Sequence, residues 1–284
     1  MKNSAILLIT CPDRRGLVAT IADFVFRHNG NILHADEHGD AESGLFLMRV
    51  EFDPVEFDIK FSEFNKHFAP IAEKYQMRWR LAQSSYRPKM AILVSRYDHC
   101  LVDLLYRHQS GELACEIPIV ISNHPDSQPV ADFYRVPFSA VPVLKENKKE
   151  AEKKVLGLLR RHQPDFIVLA RYMQILPGEF LREYPARIIN IHHSFLPAFV
   201  GAKPYHQAFA RGVKLIGATS HYVTEVLDDG PIIEQDVVRI SHRDSLDDLL
   251  QKGRDLEKVV LSRAVRWHIE NRILVYGNKT VVFS

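Results

Sequence analysis

The spacing of apolar residues divides the first part of the chain into six predicted elements. Four short segments have the alternating or continuous apolar character of strands, and they cover residues 5–10, 32–37, 45–52 and 77–82. Two segments between them have apolar residues at steps of three and four, which predicts amphipathic helices, one through Leu17, Ile21, Phe24 and Val25 and one through Phe57, Phe61, Phe64, Phe68 and Ile71. The resulting order, βαββαβ, predicts a ferredoxin-like unit.

A polar stretch that ends in proline, Gln83–Pro88, follows this unit and predicts a linker. Beyond it, short apolar runs alternate with helical spacing, and the predicted strands cover residues 90–94, 117–121, 166–169, 188–191, 215–222 and 232–240. Helical spacing is clearest at residues 148–162 and after residue 246. Apolar strands that alternate with helices are typical of a doubly wound, mostly parallel sheet. We therefore expect an α/β protein of two domains, residues 1–84 and 85–284.

Length, charge and cysteine content narrow the classes of function. At about 150 residues per domain, 284 residues correspond to roughly two domains. A net charge of +2 is too small for a nucleic-acid-binding surface, and no apolar segment suits a signal peptide or a membrane span, so we expect neither nucleic acid nor a membrane as a partner. Three cysteines without a CxxC pair disfavour disulfides and indicate a cytoplasmic protein. The glycine-rich motifs that bind dinucleotides or triphosphates do not occur.

Four of the 14 histidines fall within one short stretch, namely His192, His193, His206 and His221. Histidine is the side chain best suited to proton transfer near neutral pH. Asn190 and His192 are two residues apart on a predicted strand, so both lie on one face where the strand ends. An amide donor beside an imidazole can stabilise an oxyanion and move a proton, as acyl or formyl transfer requires. The spacing alone equally allows two polar groups that cap the strand and have their hydrogen bonds satisfied.

Asp228 begins a turn sequence, Asp-Asp-Gly-Pro, that precedes the predicted strand at residues 232–240. Most Asp-Gly turns have only a structural role. If this strand lies near Asn190 and His192, however, the carboxylate could orient the imidazole and position a water. We expect no bound metal, since His192 and His193 are adjacent and point to opposite faces, and no HExxH motif occurs.

Three segments together resemble the folate-dependent formyltransferases over about residues 89–271, and they are Leu169–Leu176, Asn190–Pro197 and His221–Ile233. The resemblance implies that Asn190, His192 and Asp228 form the catalytic set. It also implies a folate pocket, with the folate as substrate and without a separate cofactor, whose residues are Met173, Gln174, Ile175, Leu176, His221, Val223, Thr224, Glu225 and Leu227.

The segment after the first strand of the second domain departs from the family's pattern. Formyltransferases that act on glycinamide ribonucleotide have a glycine-rich turn there, whose N–H groups bind the phosphate of the substrate. This chain has Ser95–Cys100 without glycine, and Asp98 would repel a phosphate. Lys203 and His206 also match a loop of the family, and their roles stay open.

This departure leads us to expect water as the acceptor. The reaction would then be the hydrolysis of 10-formyltetrahydrofolate to tetrahydrofolate and formate, which supplies formate for purine synthesis and balances the one-carbon folate pools. Two alternatives stay open at this point. One is transfer to an amine acceptor without phosphate, and the other is a catalytically silent module that senses amino acids.

The first domain resembles a second family. Its residues 9–22 resemble the opening of ACT domains, which pair through their sheets and bind amino acids, and the resemblance places an effector site at Asp13, Arg14 and Gly16. The residues alone favour a plain turn before a helix, with Asp13 as the cap. An ACT domain followed by a formyltransferase-like domain is the arrangement of formyltetrahydrofolate deformylases. It implies glycine and methionine as effectors and a homo-oligomer through ACT pairing, with a tetramer as one option.

Overall fold

The computed structural model describes residues 3–198 and 204–283, and the chain divides into two compact units. The first unit has a four-stranded sheet in the order β2-β3-β1-β4, with every pairing antiparallel. Its elements are β1 (Ala5–Pro12), α1 (Leu17–Arg27), β2 (Asn31–Asp40), β3 (Leu45–Asp53), α2 (Phe64–Lys74) and β4 (Arg78–Gln83). The βαββαβ order predicted from the spacing is therefore confirmed.

The core of the first unit forms where alternate residues of β1 meet the apolar faces of both helices. Ala5, Leu7 and Ile9 lie on the same side of β1, as the period of two requires. They belong to one buried cluster with Ile21 of α1 and Phe68 of α2. Burying a large apolar side chain stabilises the fold by about 1.5–3 kcal/mol, so this cluster holds both helices against one face of the sheet.

The second helix is shorter than its aromatic spacing predicts. A short 3-10 turn at Phe61–Glu63 leads into α2, and Phe57 lies in the preceding loop, so the prediction that the helix includes Phe57 is wrong. Phe57 still packs its ring against Phe52 and Phe64, with centroids 4.9 and 6.2 Å apart. Its spacing therefore reflects a shared apolar core and not a helical backbone.

The second unit is built on a seven-stranded sheet in the order β11-β10-β9-β8-β5-β6-β7. Four of its pairings are parallel, and only those of β10 with β9 and β11 are antiparallel. Its strands are β5 (Lys89–Val94), β6 (Glu116–Ser122), β7 (Phe138–Ala140), β8 (Phe166–Ala170), β9 (Ile188–His192), β10 (Leu215–Tyr222) and β11 (Ile232–Arg239). Its helices are α3 (His99–Gln109), α4 (Gln128–Phe133), α5 (Lys148–His162), α6 (Gly178–Glu183), α7 (Pro204–Arg211) and α8 (Leu246–Ile269). The mostly parallel sheet is thus confirmed.

The division between the units differs from the predicted one. The first unit extends to Tyr86 and also includes Glu270–Leu274 and the residues from Val281 onward. These two segments contain the start of β12 (Ile273–Tyr276) and the end of β13 (Lys279–Val282), which pair as a hairpin. The first unit thus extends two residues beyond the predicted boundary at residue 84, and it also includes two short segments of the predicted second domain, residues 85–284. Non-local contacts explain the difference, since Arg49 Nε of β3 donates a hydrogen bond to the carbonyl of Asn271, 3.1 Å away.

No helix in the described parts of the chain is long and apolar enough to cross a membrane. The three cysteines, Cys11, Cys100 and Cys115, are free thiols and all three are buried.

Candidate active site at the ends of β8 and β9

A cavity of about 320 Å³ lies where β8 and β9 end, and the loop between β10 and β11 completes its wall. The carboxyl ends of parallel strands are the usual place for ligands in α/β sheets. The residues that line the cavity come from three segments and are Leu169, Arg171, Tyr172, Met173, Gln174, Ile175, Leu176, Asn190, Ile191, His192, His193, His221, Val223, Thr224, Glu225, Val226, Leu227 and Asp228.

The register between β9 and β10 brings Asn190 and His221 together. The two residues are direct partners across the antiparallel pair, and partners of this kind place their side chains on the same face of the sheet. Asn190 Nδ2 lies 3.2 Å from His221 Nε2. His221 Nδ1 lies 2.9 Å from the carbonyl of Tyr222, so it carries the ring proton and Nε2 accepts from the amide. One N–H of Asn190 is used in this way, and the second can bind another acceptor.

The loop after β10 carries Asp228 to the imidazole of His192. Asp228 Oδ2 lies 3.2 Å from His192 Nδ1, and Oδ1 lies 3.8 Å from His221 Nε2. Burial by itself raises the pKa of Asp228, but the hydrogen bond from His192 and the surrounding imidazoles hold it below its ordinary value. The carboxylate is therefore ionised at neutral pH and keeps a proton on His192 Nδ1.

The opposite nitrogen of His192 is free to react. His192 Nε2 is shielded from solvent and has no hydrogen-bond partner among the described residues. A buried polar atom without a partner is costly, and at a reaction centre it marks the position that a substrate or water completes. With a carboxylate on Nδ1 and an open Nε2, His192 has the arrangement of a general acid–base histidine.

Burial keeps the neighbouring imidazoles neutral. Desolvation, together with the positive charge of Arg171, lowers the pKa of His193 to about 3. Desolvation also lowers the pKa of His221, although the hydrogen bond to Tyr222 and the charge of Asp228 act in the opposite direction. At neutral pH the site thus contains the charged groups Asp228 and Arg171 beside uncharged histidines at positions 193 and 221.

Each residue that the sequence assigns to catalysis or to the folate pocket lies in the wall of this cavity. The structure therefore brings the predicted set together, and the role of each member stays a prediction. Sequence reasoning missed two polar members of the wall, Arg171 and His193. The signal for Arg171 was a basic residue directly after the apolar strand β8, and the signal for His193 was its position next to His192.

Side-chain contacts hold the glycine-free segment Ser95–Cys100, which follows β5, in place. Ser95 is buried, and its hydroxyl donates to Asn123 Oδ1 at 2.7 Å and accepts the backbone N–H of Met173 at 2.9 Å. The ring of Tyr97 lies under the guanidinium groups of Arg171 and Arg254, at 5.6 and 5.5 Å from its centroid. Side chains thus fix this segment, including its link to the wall of the cavity.

The predicted effector residues lie in the turn between β1 and α1 of the first unit. Asp13 donates its backbone N–H to Gly44 at 2.9 Å, and Arg14 Nη2 donates to Gln76 Oε1 at 2.8 Å. Gly16 is the N-cap residue of α1 with φ +87°, a conformation that favours glycine, and no side chain caps the helix. The interpretation of Asp13 as the cap is therefore wrong, because the cap residue lies three positions later at Gly16. The effector role of this turn stays a prediction.

Two further predicted residues belong to the segment around α7. His206 is exposed on α7 and does not line the cavity. Lys203 lies outside the described residues.

The fold and the cavity define a class of protein. A sequence profile of the formyl transferase family matches residues 88–265, more than half of the chain, and this range includes the whole cavity. The crystal structure of glycinamide ribonucleotide transformylase 1 from Symbiobacterium toebii superposes with a TM-score of 0.65 and 28% identity, over 70% of this chain and 95% of that one. The chain belongs to the formyl transferase family.

Relatives that match along the whole chain narrow the assignment. A formyltetrahydrofolate deformylase of Synechocystis sp. is 55% identical over 281 residues, which is 99% of this chain and 99% of the relative. The crystal structure of a formyltetrahydrofolate deformylase from Pseudomonas syringae pv. tomato superposes with a TM-score of 0.98 and 52% identity, over 100% of this chain and 95% of that one. Within the formyl transferases, the chain belongs to the formyltetrahydrofolate deformylases.

Proposed function

We propose that the protein hydrolyses 10-formyltetrahydrofolate to tetrahydrofolate and formate. The observation that carries this proposal is the length of the match. The Synechocystis deformylase matches 99% of the chain, including the first unit, whereas the glycinamide ribonucleotide transformylase matches only 70%. The glycine-free segment at Ser95–Cys100 supports the same choice, because it offers no backbone cradle for the phosphate of such an amine acceptor.

The reaction begins with activation of a water molecule. His192 Nε2 takes a proton from the water as its oxygen attacks the formyl carbon, and Asp228 stabilises the imidazolium that forms. The second N–H of Asn190 and the protonated His192 then bind the oxyanion of the tetrahedral intermediate. His192 Nε2 returns the proton to N10 as the C–N bond breaks, which releases tetrahydrofolate and formic acid, and the acid loses its proton to water and becomes formate.

The remaining residues of the cavity wall hold the folate in this scheme. The segment Met173–Leu176 and the loop Val223–Leu227 line the cavity with both apolar and polar residues. A pterin needs both, since its ring is flat and its edge is rich in hydrogen-bonding atoms. No step of the scheme uses a metal or a separate cofactor, and we place the reaction in the cytoplasm, where it would supply formate for purine synthesis and balance the folate pools.

The decisive assay measures formate from purified protein and 10-formyltetrahydrofolate without an amine. We expect formate and tetrahydrofolate in equal amounts, because water is the only acceptor present. Pretreatment with a metal chelator should leave the rate unchanged. Consumption of the substrate only after addition of an amino acid or amino sugar would instead identify a transferase, and no consumption under either condition would identify a silent module.

We further propose that the first unit is an ACT-type regulatory domain whose pairing forms a homo-oligomer. The βαββαβ order of the unit and the turn with Asp13, Arg14 and Gly16 support this proposal. We expect glycine and methionine to change the rate of formate release and, by the reciprocity of coupled binding, the substrate to change their affinity.

A titration of each amino acid against the deformylase rate checks the regulatory proposal. Alanine and leucine serve as controls for a general effect of amino acids. The absence of any response at millimolar glycine or methionine would refute regulation, and a monomer in sedimentation would refute the pairing.

A further inference from the structure

Arg171 is a charged residue in an unusual position. It follows directly after β8, lines the cavity, and its side chain is only 10% exposed. Its backbone has φ +63°, in the left-handed region that is unfavourable for residues other than glycine. Backbone strain of this kind concentrates at binding and catalytic sites, where the surrounding structure maintains it and thereby fixes the position of the side chain.

Arg171 forms an ion pair with Glu257, but its N–H groups are poorly hydrogen-bonded. Its Nε lies 3.4 Å from Glu257 Oε2, which is too far for a good hydrogen bond. The two oxygens of this buried carboxylate have closer partners, since His99 Nε2 lies 2.7 Å from Oε2 and Tyr205 donates its hydroxyl to Oε1 at 2.8 Å. As a result, Nε and Nη1 of Arg171 are buried without a hydrogen-bond partner among the described residues. Buried N–H groups are normally paired, so an acceptor is missing here.

The charge pattern of the cavity indicates what this acceptor is. Among the described residues of its wall, Arg171 is the one lysine or arginine, while Glu225 and Asp228 are acidic. The positive charge reaches the reaction centre, since it lowers the pKa of His193, the neighbour of His192, second only to burial. An anion that forms beside Asp228 is repelled by that carboxylate and attracted by the guanidinium.

We propose that Arg171 forms a binding site for formate, the small carboxylate product, on the side of the cavity next to His193. The inference rests on the proposed hydrolysis, which releases formate as an anion at this place. The Nη1 and Nη2 groups at the end of a guanidinium form a fork that binds the two oxygens of a carboxylate in parallel, while Nε stays toward Glu257, and a lysine cannot reproduce that geometry. Formate bound to Arg171 has moved away from the carboxylate of Asp228, and the folate product can still occupy the remainder of the cavity.

The experiment titrates ¹³C-formate into the full-length protein and follows the width of the formate resonance, with chloride keeping the ionic strength constant. Binding measured in this way needs no turnover. We expect Arg171→Lys to weaken formate binding at least about tenfold, because the point charge stays but the paired hydrogen bonds are lost. The matched control is Arg254→Lys. Arg254 also lies over the ring of Tyr97, but it is exposed and does not line the cavity, so formate affinity should stay unchanged.

A second variant separates binding from a structural role. Glu257→Gln removes the negative charge beside Arg171 while an oxygen remains to accept the hydroxyl of Tyr205. We expect formate to bind more tightly, by about threefold or more, since the guanidinium no longer shares its charge. A purely structural ion pair predicts no gain in either binding or product inhibition.

Two results would overturn the site while leaving the hydrolysis intact. One is formate release in the enzyme assay without any formate binding up to about 100 mM, a range that includes weak complexes. The other is equal formate affinity in the wild type and in folded Arg171→Lys. Failure of the proposed function itself is different, because then no formate is released from 10-formyltetrahydrofolate.

Discussion

Replacing His192 by alanine should lower kcat by about 10²- to 10⁴-fold, the usual contribution of a general acid–base side chain. Among the described residues of the cavity, this imidazole alone has a carboxylate on one nitrogen and an unpartnered second nitrogen. In the proposed mechanism the same ring serves twice, first as the base for water and then as the acid for N10, so the loss should be large. Alanine removes both functions but leaves the folate pocket, so KM should change far less than kcat.

The measurement is formate release at saturating 10-formyltetrahydrofolate, together with thermal unfolding to show that the variant is folded. The matched control is His206→Ala, which removes an exposed histidine of α7 that does not line the cavity. Its rate should stay within about twofold of the wild type, as is typical for surface changes. A nearly normal rate in His192→Ala would remove this residue from the mechanism.

Replacing Gly230 by alanine should lower kcat by about 10²-fold through a backbone clash rather than a lost functional group. A Cβ at position 230 would lie 1.7 Å from the carbonyl oxygen of Tyr222 and 2.8 Å from its carbon. Both atoms belong to the main chain, so the loop between β10 and β11 must move. Because Asp228 lies in this loop, its carboxylate would shift away from His192, and a displacement of about 1 Å is enough for a loss of this size.

Gly157→Ala is the matched control for this prediction. Gly157 lies within α5, and a Cβ there meets nothing within 4 Å. Alanine should stabilise this helix by about 0.5–1 kcal/mol and leave the rate unchanged. In Gly230→Ala, full activity together with a wild-type unfolding temperature would show that the loop absorbs the methyl group without moving Asp228.

Local periodicity explains how much of this fold could be predicted. The alternation at residues 188–192 places Asn190 and His192 on one face, and this relation holds in any strand regardless of its neighbours. The helix at Lys148–His162 has the predicted bounds because its apolar stripe continues to its end. Phe57 shows where periodicity misleads, since an aromatic residue at helical spacing can pack into the core from a loop.

Relations between distant segments could not be predicted from residue patterns. The contact of Asp228 with His192 depends on an antiparallel β10 beside β9 and on the left-handed backbone of Asp228 itself, with φ +56°. The alternation of apolar and polar residues reveals neither feature. The resemblance to formyltransferases brought Asp228 into the site instead. Arg171 was missed for a related reason, because burial of its charge depends on Glu257, which lies on α8 and far along the sequence.

The buried cysteines give each unit its own chemical reporter of opening. Burial raises the pKa of all three thiols, that of Cys115 to about 12, so the reactive thiolate is scarce while the surrounding structure stays closed. Cys11 lies on β1 of the first unit, whereas Cys100 and Cys115 belong to the second. The rate at which a thiol reagent labels Cys11 in native buffer therefore reports local unfolding of the first unit. The labelling rates of Cys100 and Cys115 report local unfolding of the second unit, so no probe has to be introduced.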